Sequence, residues 1–184
     1  MTDNNYILMK GVWNTQRVNN FIAKNIDQNA TIIDLGCGKG DRLFFVSRFL
    51  NYNSYGVEIF SDYAEEAKSK GLNIIQEDIK VFLENLNGPK DYTFIMIDVI
   101  EHFTDEDALF CIEKMKSLGN KILMFTPEGE FDQEEYDNNA HQKHLSVWSK
   151  DKLESLDFSV EVVQNFHVKE DGTESPVAFA IWSN

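Results

Sequence analysis

Short apolar runs alternate along this chain with segments of helical pattern. The runs at 31–35, 55–58, 73–76, 92–97 and 121–125 are apolar and often β-branched, which is typical of buried strands. The first four are each followed by a segment predicted to be helical. Strands that alternate with helices in this way predict a mostly parallel sheet covered by helices on both faces.

Residues that start and stop helices set the predicted boundaries. One helix is predicted to begin at Ser61 and end at Gly71, and another to lie between Thr104, its N-cap, and Gly119. Further helices are predicted at about 15–24, 79–86 and 149–156, with Gly88-Pro89 ending the second of these.

The alternation stops after residue 125. Residues 126–148 are polar, acidic and too long for an ordinary connection, which is typical of a functional or disordered loop. Two β-rich runs at 159–166 and 177–182, joined by a turn-rich connection at 169–176, predict an antiparallel pair. The chain therefore reads as one α/β domain, residues 1–184, with seven strands and an inserted loop at 126–148.

Composition and charge narrow the class of protein. A chain of 184 residues with 42% hydrophobic and 12% aromatic residues fits one globular domain. It has no apolar run near the ~20 residues of a membrane span, no secretory signal pattern, and only two cysteines. We therefore expect a cytoplasmic protein that does not associate with membranes. The net charge of −14 disfavours nucleic acid as a partner, and the oligomeric state stays open.

Three glycines follow the first strand at every second position, and Asp34 precedes them. Glycines let the main chain press against a ligand, and the start of the next helix offers unpaired N–H groups. The dinucleotide fingerprint places its third glycine one position later, where this chain has Asp41, an anion in the place of a pyrophosphate. A nicotinamide-dependent oxidoreductase is therefore disfavoured.

The loop and its leading acid resemble motif I of the class I S-adenosylmethionine (SAM) dependent methyltransferases, and the resemblance extends over about 32–181. It implies a Rossmann-like, seven-stranded, mostly parallel sheet with helices on both faces and a terminal antiparallel strand. It also implies that SAM is the cofactor, with its amino group near Asp34. The methionine part of SAM would lie on the loop residues Gly36, Cys37, Gly38 and Gly40.

Three further strand ends resemble cofactor motifs of the same family. Glu58 ends the second strand, where an acid can accept hydrogen bonds from ribose hydroxyls, and Ile59 would pack on the adenine. Asp78 would meet the adenine amino group, with the N–H of Ile79 on a ring nitrogen, and Asp78 is also a predicted helix N-cap. Asp98 opens a run that resembles motif IV, whose residues line the cofactor near the transferable methyl group.

Methyl transfer requires that the nucleophile, the methyl group and the sulfur lie in line and that water is excluded. An oxygen nucleophile also needs a base. His144 and His102, together with Asp98, are the predicted catalytic residues, and His141 lies behind them. The sequence therefore predicts an enzyme that transfers a methyl group from SAM to a small-molecule acceptor, preferably at oxygen. Methylation at nitrogen or carbon stays open, and the inserted loop would close over the substrate.

Two alternatives remain. In the first, the chain is a metal-dependent RNA 2′-O-methyltransferase in which Asp98, Glu101, His102 and His144 hold a divalent metal. The acid-x-x-Glu-His run and the later His-x-x-x-Trp resemble those of the metal-dependent small-RNA terminal 2′-O-methyltransferases. The first acid is Asp here rather than Glu, so the metal stays an open question. In the second, the chain is a non-catalytic SAM-binding partner subunit. The acidic residues of the inserted loop fit either a solvated lid or an attraction for a cationic substrate.

Overall fold

The computed structural model describes residues 3–87, 91–168 and 173–184, without the side chains of 3–10 and 168. The predicted helix end at Gly88-Pro89 and positions 169–172 of the predicted hairpin connection lie outside the described residues. Within the described ranges, no helix is both long and apolar enough to cross a membrane.

Seven strands of the described residues form one sheet in the order β3-β2-β1-β4-β5-β7-β6. The first five are parallel, whereas β7 pairs antiparallel with both β5 and β6. This arrangement confirms the predicted Rossmann-like sheet with its terminal antiparallel pair. The bounds are β1 Thr31–Leu35, β2 Ser54–Val57, β3 Ile74–Ile75, β4 Tyr92–Ile97, β5 Lys121–Pro127, β6 Ser159–Val168 and β7 Glu174–Ser183.

The helices lie where the sequence predicts them, with one extension. The helix predicted near residue 15 begins much earlier, at Asp3. Val18 and Ile22 in its second half are buried, whereas Val12 and Trp13 in the first half are exposed. The bounds are α1 Asp3–Asn25, α2 Asp41–Phe44 (continued by a π-helix at Phe45–Phe49), α3 Ser61–Ser69, α4 Ile79–Asn85, α5 Asp105–Leu118 and α6 Lys150–Glu154.

Alternate residues of the central strands pack on opposite faces of the sheet. Ile32 of β1 belongs to a buried apolar cluster that includes residues of α1 and the π-helix. Its neighbour Ile33 belongs to a second cluster that includes residues of α4, α5 and α6. Period-two alternation therefore places a hydrophobic layer on each side of the strands.

The inserted loop begins two residues later than predicted. Thr126 and Pro127 extend β5, because they continue its pairing with β7 opposite Ala178 and Val177. From 128 to 149 the chain is irregular apart from a short 3₁₀ helix at Ala140–Gln142.

The order of the strands places a crevice between β1 and β4. The chain runs from β1 outward to β2 and β3, then crosses back to β4 on the other side of β1. The loops that follow β1 and β4 therefore diverge at the carboxyl ends of these strands. Ligands of open α/β sheets bind at such switch points.

Candidate functional site

The loop after β1 presents bare main chain to this crevice. Gly36 and Gly38 have φ of 68° and 55°, in the left-handed region. A Cβ atom on Gly36 would lie 2.7 Å from Cγ2 of Val99, so no side chain fits where the two loops meet. A Cβ atom on Gly38 would have nothing within 4 Å, since this residue faces open space.

Most of the predicted cofactor residues converge on one cavity, called the glycine cleft below. Among the described residues, it is lined by Gly36, Gly38, Glu58, Ile59, Asp78, Ile79, Asp98, Val99, His102, Phe103, Asn139, His141 and Gln142. Eight of these lining residues were named from the sequence as cofactor or catalytic residues. The inserted loop contributes the last three and so covers the cleft from one side.

Three other predicted cofactor residues lie behind the lining of this cleft. Gly40 packs against α3, where an added Cβ atom would lie 2.9 Å from Cβ of Ala67. The thiol of Cys37 is buried, which raises its pKa well above the usual range, and its N–H donates to the carbonyl of Val57 at 3.1 Å. Asp34 lies at the end of β1, beneath the loop.

The carboxyl group of Asp34 is buried and incompletely paired. Its Oδ2 atom has no hydrogen-bond partner among the described residues. Burial raises the pKa of Asp34 to about 7, while the guanidinium of Arg42 opposes this rise and Glu58 adds to it. Arg42 also donates to Oδ1 of Asn19 at 3.1 Å, which links α2 to α1.

Glu58 connects the loops that follow β1 and β2. It is only 6% exposed, and its two carboxylate oxygens accept from different main-chain donors. Oε2 accepts from the N–H of Gly38 at 2.8 Å, and Oε1 accepts from the N–H of Phe60 at 2.8 Å. Each oxygen keeps a further lone pair, so the carboxylate can still accept hydrogen bonds from a ligand.

Asp78 is the N-cap of α4, as predicted. Its Oδ1 accepts from the N–H groups of Lys80 and Val81 at 2.8 and 3.3 Å. Ile79 is buried beside it, and Ile59, 37% exposed, supplies an apolar surface of the same cleft. This end of the cleft therefore combines apolar side chains with a carboxylate.

Asp98 lies where the glycine cleft meets a second cavity. Its φ is 53°, an unfavourable value for a non-glycine residue, and such strain is concentrated at functional sites. Asp98 is exposed, and it lines both cavities. The protein atoms around its carboxyl group nevertheless raise the pKa of Asp98 to about 7, against the opposing charge of Arg42.

The second cavity, called the histidine cleft below, lies between the segment after β4 and the inserted loop. It shares Asp98, His102 and Gln142 with the glycine cleft. Its lining in the described part of the chain is Asp98, Glu101, His102, Pro127, Phe131, Gln133, Tyr136, Gln142, His144 and His167.

The two predicted catalytic histidines face each other in this cleft, with ring centroids 4.9 Å apart. Nδ1 of His102 lies 3.2 Å from the carbonyl oxygen of Lys143, and Nδ1 of His144 lies 2.6 Å from that of Phe131. Carbonyl oxygens only accept, so these contacts assign the ring proton to Nδ1 and leave a lone pair on Nε2. Burial lowers the pKa of both imidazoles, which favours this neutral state. His141, in contrast, lies on the glycine cleft.

Glu101 is buried beneath this histidine pair. Its Oε2 accepts from the hydroxyl of Thr126 at 3.0 Å, and burial, followed by the charge of Asp98, raises the pKa of Glu101 well above its usual value. Glu101, His102 and His144 each offer one ligand atom, and these atoms lie within 4.8 Å of one another. Asp98, the fourth member of the metal set suggested by the sequence, is not part of this group.

The inserted loop is anchored to the glycine loop by Asp137. Its Oδ2 accepts from Nζ of Lys39 at 2.9 Å and from the hydroxyl of Tyr63 at 3.0 Å. These two bonds therefore tie the inserted loop, most of whose residues are at least partly exposed, to the residues around the glycine cleft. Glu134 pairs with Lys143 within the loop, so part of its acidic charge is already neutralised.

Sequence reasoning missed two residues of the site. His167 of β6 lines the histidine cleft, and its Nε2 is buried without a hydrogen-bond partner among the described residues. Its position depends on a register shift in the β6–β7 pairing between Val163 and His167. No local sequence pattern predicts such a shift. Arg42 directly follows the glycine loop, and its positive charge acts on both Asp34 and Asp98. Its position next to the loop was a signal that could have identified it.

Comparison with known proteins gives one family and one fold. The family model of the methionine biosynthesis protein MetW matches residues 17–133. No curated protein matches the chain. A SAM-dependent methyltransferase structure from Archaeoglobus fulgidus aligns with a TM-score of 0.68 at 16% identity, covering 94% of each chain.

Two further solved structures align over most of their length. The methyltransferase domain of bacterial CtHen1 aligns with a TM-score of 0.62 at 24% identity, over 92% of this chain and 97% of that one. Magnesium protoporphyrin IX methyltransferase from Synechocystis PCC 6803, solved with SAM, has a TM-score of 0.62 at 18% identity, over 97% and 85%. Identities this low establish a common fold. Because the family model spans well over half of the chain, however, the protein belongs to the MetW family, and it has the fold of the class I SAM-dependent methyltransferases.

Proposed function

We propose that this protein is an enzyme that transfers a methyl group from SAM to an oxygen atom of a small molecule. SAM would lie in the glycine cleft and the acceptor in the histidine cleft. The observation that carries this proposal is that the two cavities meet at Asp98, His102 and Gln142. A methyl group held at this junction would face an acceptor in the neighbouring cavity.

The residues of the glycine cleft suit the parts of SAM. Gly38 leaves space for the methionine part, because no side chain occupies that side of the loop. Glu58 keeps acceptor capacity for the two ribose hydroxyls, and Asp78 with Ile79 suits the adenine. Asp34, beneath the loop, would favour the ammonium group through its charge.

Chemistry in the histidine cleft follows from the two free imidazole lone pairs. The acceptor oxygen forms a bond to the methyl carbon while the carbon–sulfur bond of SAM breaks, which leaves S-adenosylhomocysteine. The acceptor proton passes to Nε2 of His144 or His102, and from there to water. Because sulfonium is already a good leaving group, the protein contributes mainly alignment, exclusion of water and this proton transfer.

A small acceptor agrees with the charge and the size of the site. The acidic surface repels phosphate backbones, so RNA is a poor candidate. The histidine cleft is bounded by Phe131 and Tyr136 from the loop, which suits a compact molecule with an apolar part. A developed second cavity beside the cofactor cleft also favours an enzyme over a non-catalytic subunit.

Calorimetric titration and a turnover assay test this proposal. We expect S-adenosylhomocysteine to bind with one-to-one stoichiometry and NADH not to bind. Methyl transfer from labelled SAM to a panel of small hydroxy compounds should then identify an acceptor. His144→Ala should lower turnover by about 10²–10⁴-fold, the usual contribution of a general base, and leave S-adenosylhomocysteine affinity nearly unchanged.

Lys143→Ala is the matched control, because the side chain of this neighbour of His144 pairs with the exposed Glu134 and with no other residue in the described part of the chain. Turnover in the control should equal that of the wild type. Binding of S-adenosylhomocysteine without turnover of any acceptor would favour the non-catalytic subunit. Absence of binding would refute the proposal altogether.

A further inference from the structure

Three side chains with metal-ligating atoms meet on the floor of the histidine cleft. Glu101 and His102 come from the 3₁₀ helix at Ile100–His102, and His144 comes from the inserted loop. One ligand atom from each lies within 4.8 Å of the others. Residues distant in sequence are therefore brought together around one point.

Both imidazoles are oriented as metal-binding imidazoles usually are. Their Nδ1–H groups donate to the main-chain carbonyls of Lys143 and Phe131, which fixes the ring planes. The opposite nitrogen, Nε2, keeps its lone pair. An outer hydrogen bond on one ring nitrogen with a free lone pair on the other is the common arrangement at metal sites.

The carboxylate of Glu101 supplies an independent observation that points to a ligand. The residue is only 3% exposed, and Oε1 is buried without a hydrogen-bond partner among the described residues. Buried polar atoms are almost always paired, so an unpaired oxygen on a carboxylate that lies within 4.8 Å of two imidazole nitrogens points to a bound cation.

The inserted loop is hydrogen-bonded to the main chain of Glu101. The N–H groups of Leu145 and Ser146 both donate to the carbonyl oxygen of Glu101, at 2.8 and 3.1 Å. The indole N–H of Trp148 donates to the hydroxyl of Ser146 at 2.9 Å, which adds a buried anchor. These bonds hold His144 over Glu101, so the three ligand atoms are positioned before any ion binds.

We infer that Glu101, His102 and His144 bind one divalent transition-metal ion such as Zn²⁺. Two imidazole nitrogens disfavour Mg²⁺ and Ca²⁺, which prefer oxygen ligands. Three protein ligands leave a coordination position open toward the cleft, as in catalytic zinc sites. The role of the ion rests on the proposed function. The ion would lower the pKa of an acceptor hydroxyl. It would thereby take over the activation of the acceptor from the imidazoles, whose lone pairs are then used in coordination.

Direct metal binding tests the site. The full chain is stripped with a chelator and titrated with Zn²⁺ by calorimetry, and with Co²⁺ by visible absorbance. We expect one equivalent of each ion to bind. His144→Ala and Glu101→Gln should each weaken Zn²⁺ binding by more than about 100-fold, since even the loss of an outer partner costs 10–100-fold. His141→Ala is the control, because His141 lies in the same loop outside the group, and its Zn²⁺ affinity should not change.

S-adenosylhomocysteine binding serves as the folding readout for His144→Ala and Glu101→Gln, and the urea unfolding midpoint serves for His141→Ala, because His141 lines the glycine cleft. Stoichiometric Zn²⁺ binding that disappears in His144→Ala and Glu101→Gln, with S-adenosylhomocysteine affinity retained, supports the site. Absence of stoichiometric Zn²⁺ and Co²⁺ binding, or equal binding in these variants and the wild type, overturns it and leaves the proposed function standing. Metal binding without S-adenosylhomocysteine binding would support the site and refute the proposed function. Methyl transfer that is unaffected by removal of the metal would overturn the role of the ion.

Discussion

Replacement of Gly38 by alanine tests directly whether a ligand presses against the glycine loop. The added methyl group would meet no protein atom within 4 Å, so any effect on binding comes from the cleft itself. The residue has φ of 55°, and the left-handed region costs alanine about 1–2 kcal/mol. Gly129 offers a matched control, because its φ is 81°, its Cβ position is equally open, and it lines neither cleft.

Stability and binding should therefore separate in these two variants. Gly38→Ala and Gly129→Ala should each lose about 1–2 kcal/mol of unfolding free energy in urea. Only Gly38→Ala should also bind S-adenosylhomocysteine more weakly. An extra methyl group in a well-packed contact costs about 1–3 kcal/mol, which is roughly 5- to 150-fold in Kd. Equal calorimetric Kd values for Gly38→Ala and the wild type would refute the assignment of this loop to the cofactor.

Three further experiments address stability and the inserted loop. Burial raises the pKa of Asp34 from 3.8 to about 7 on folding, with Arg42 opposing the rise and Glu58 adding to it. The native state therefore binds the proton of Asp34 more tightly than the unfolded state, and the resulting stabilisation is lost as the pH rises from about 4 to about 7. The unfolding free energy of Asp34→Asn relative to the wild type should thus increase by up to about 4 kcal/mol from pH 4 to pH 8, and a constant difference would contradict the argument. Gly36→Ala should cost about 2–5 kcal/mol, and a Val99→Ala background should recover part of this loss, which a double-mutant cycle in urea would measure. Asp137→Ala should leave the unfolding free energy nearly unchanged, because its ion pair with Lys39 is exposed. It should nevertheless speed proteolysis within 128–148, and an unchanged cleavage rate would show that the anchor does not hold the loop.

Much of the fold could be predicted because its signals are local. β1 and β4 have the predicted bounds, because each is a short apolar run with polar residues at its ends. The caps Asp78 and Thr104 were also predictable, because a capping side chain bonds to an N–H two or three residues away. The early start of α1 was not predictable from periodicity, since Val12 and Trp13, the apolar residues just before its predicted start, are exposed.

The cofactor side of the site was more open to prediction than the acceptor side. Glu58 and Asp98 end parallel strands, and parallel strands bring their carboxyl ends to one edge of the sheet. The sequence could not distinguish residues that line the glycine cleft from residues that lie behind it. Cys37 and Gly38 are neighbours, and main-chain torsion angles decide which of them faces the cleft. His167 joins the histidine cleft only through the β6–β7 irregularity, which is a property of the paired strands.

The segment after β4 explains why two cavities meet at one point. Asp98 has a left-handed backbone conformation, and the 3₁₀ helix at Ile100–His102 follows directly, so the chain turns sharply at the end of the strand. Asp98 and His102 consequently reach both clefts, whereas Glu101 points into the histidine cleft alone. Its carbonyl binds the inserted loop, so that loop completes the histidine cleft. Substitutions of Phe131 or Tyr136, which line the histidine cleft and not the glycine cleft, should therefore alter use of the proposed acceptor far more than cofactor affinity, because Glu58 and Gly38 are held by strand ends and by each other.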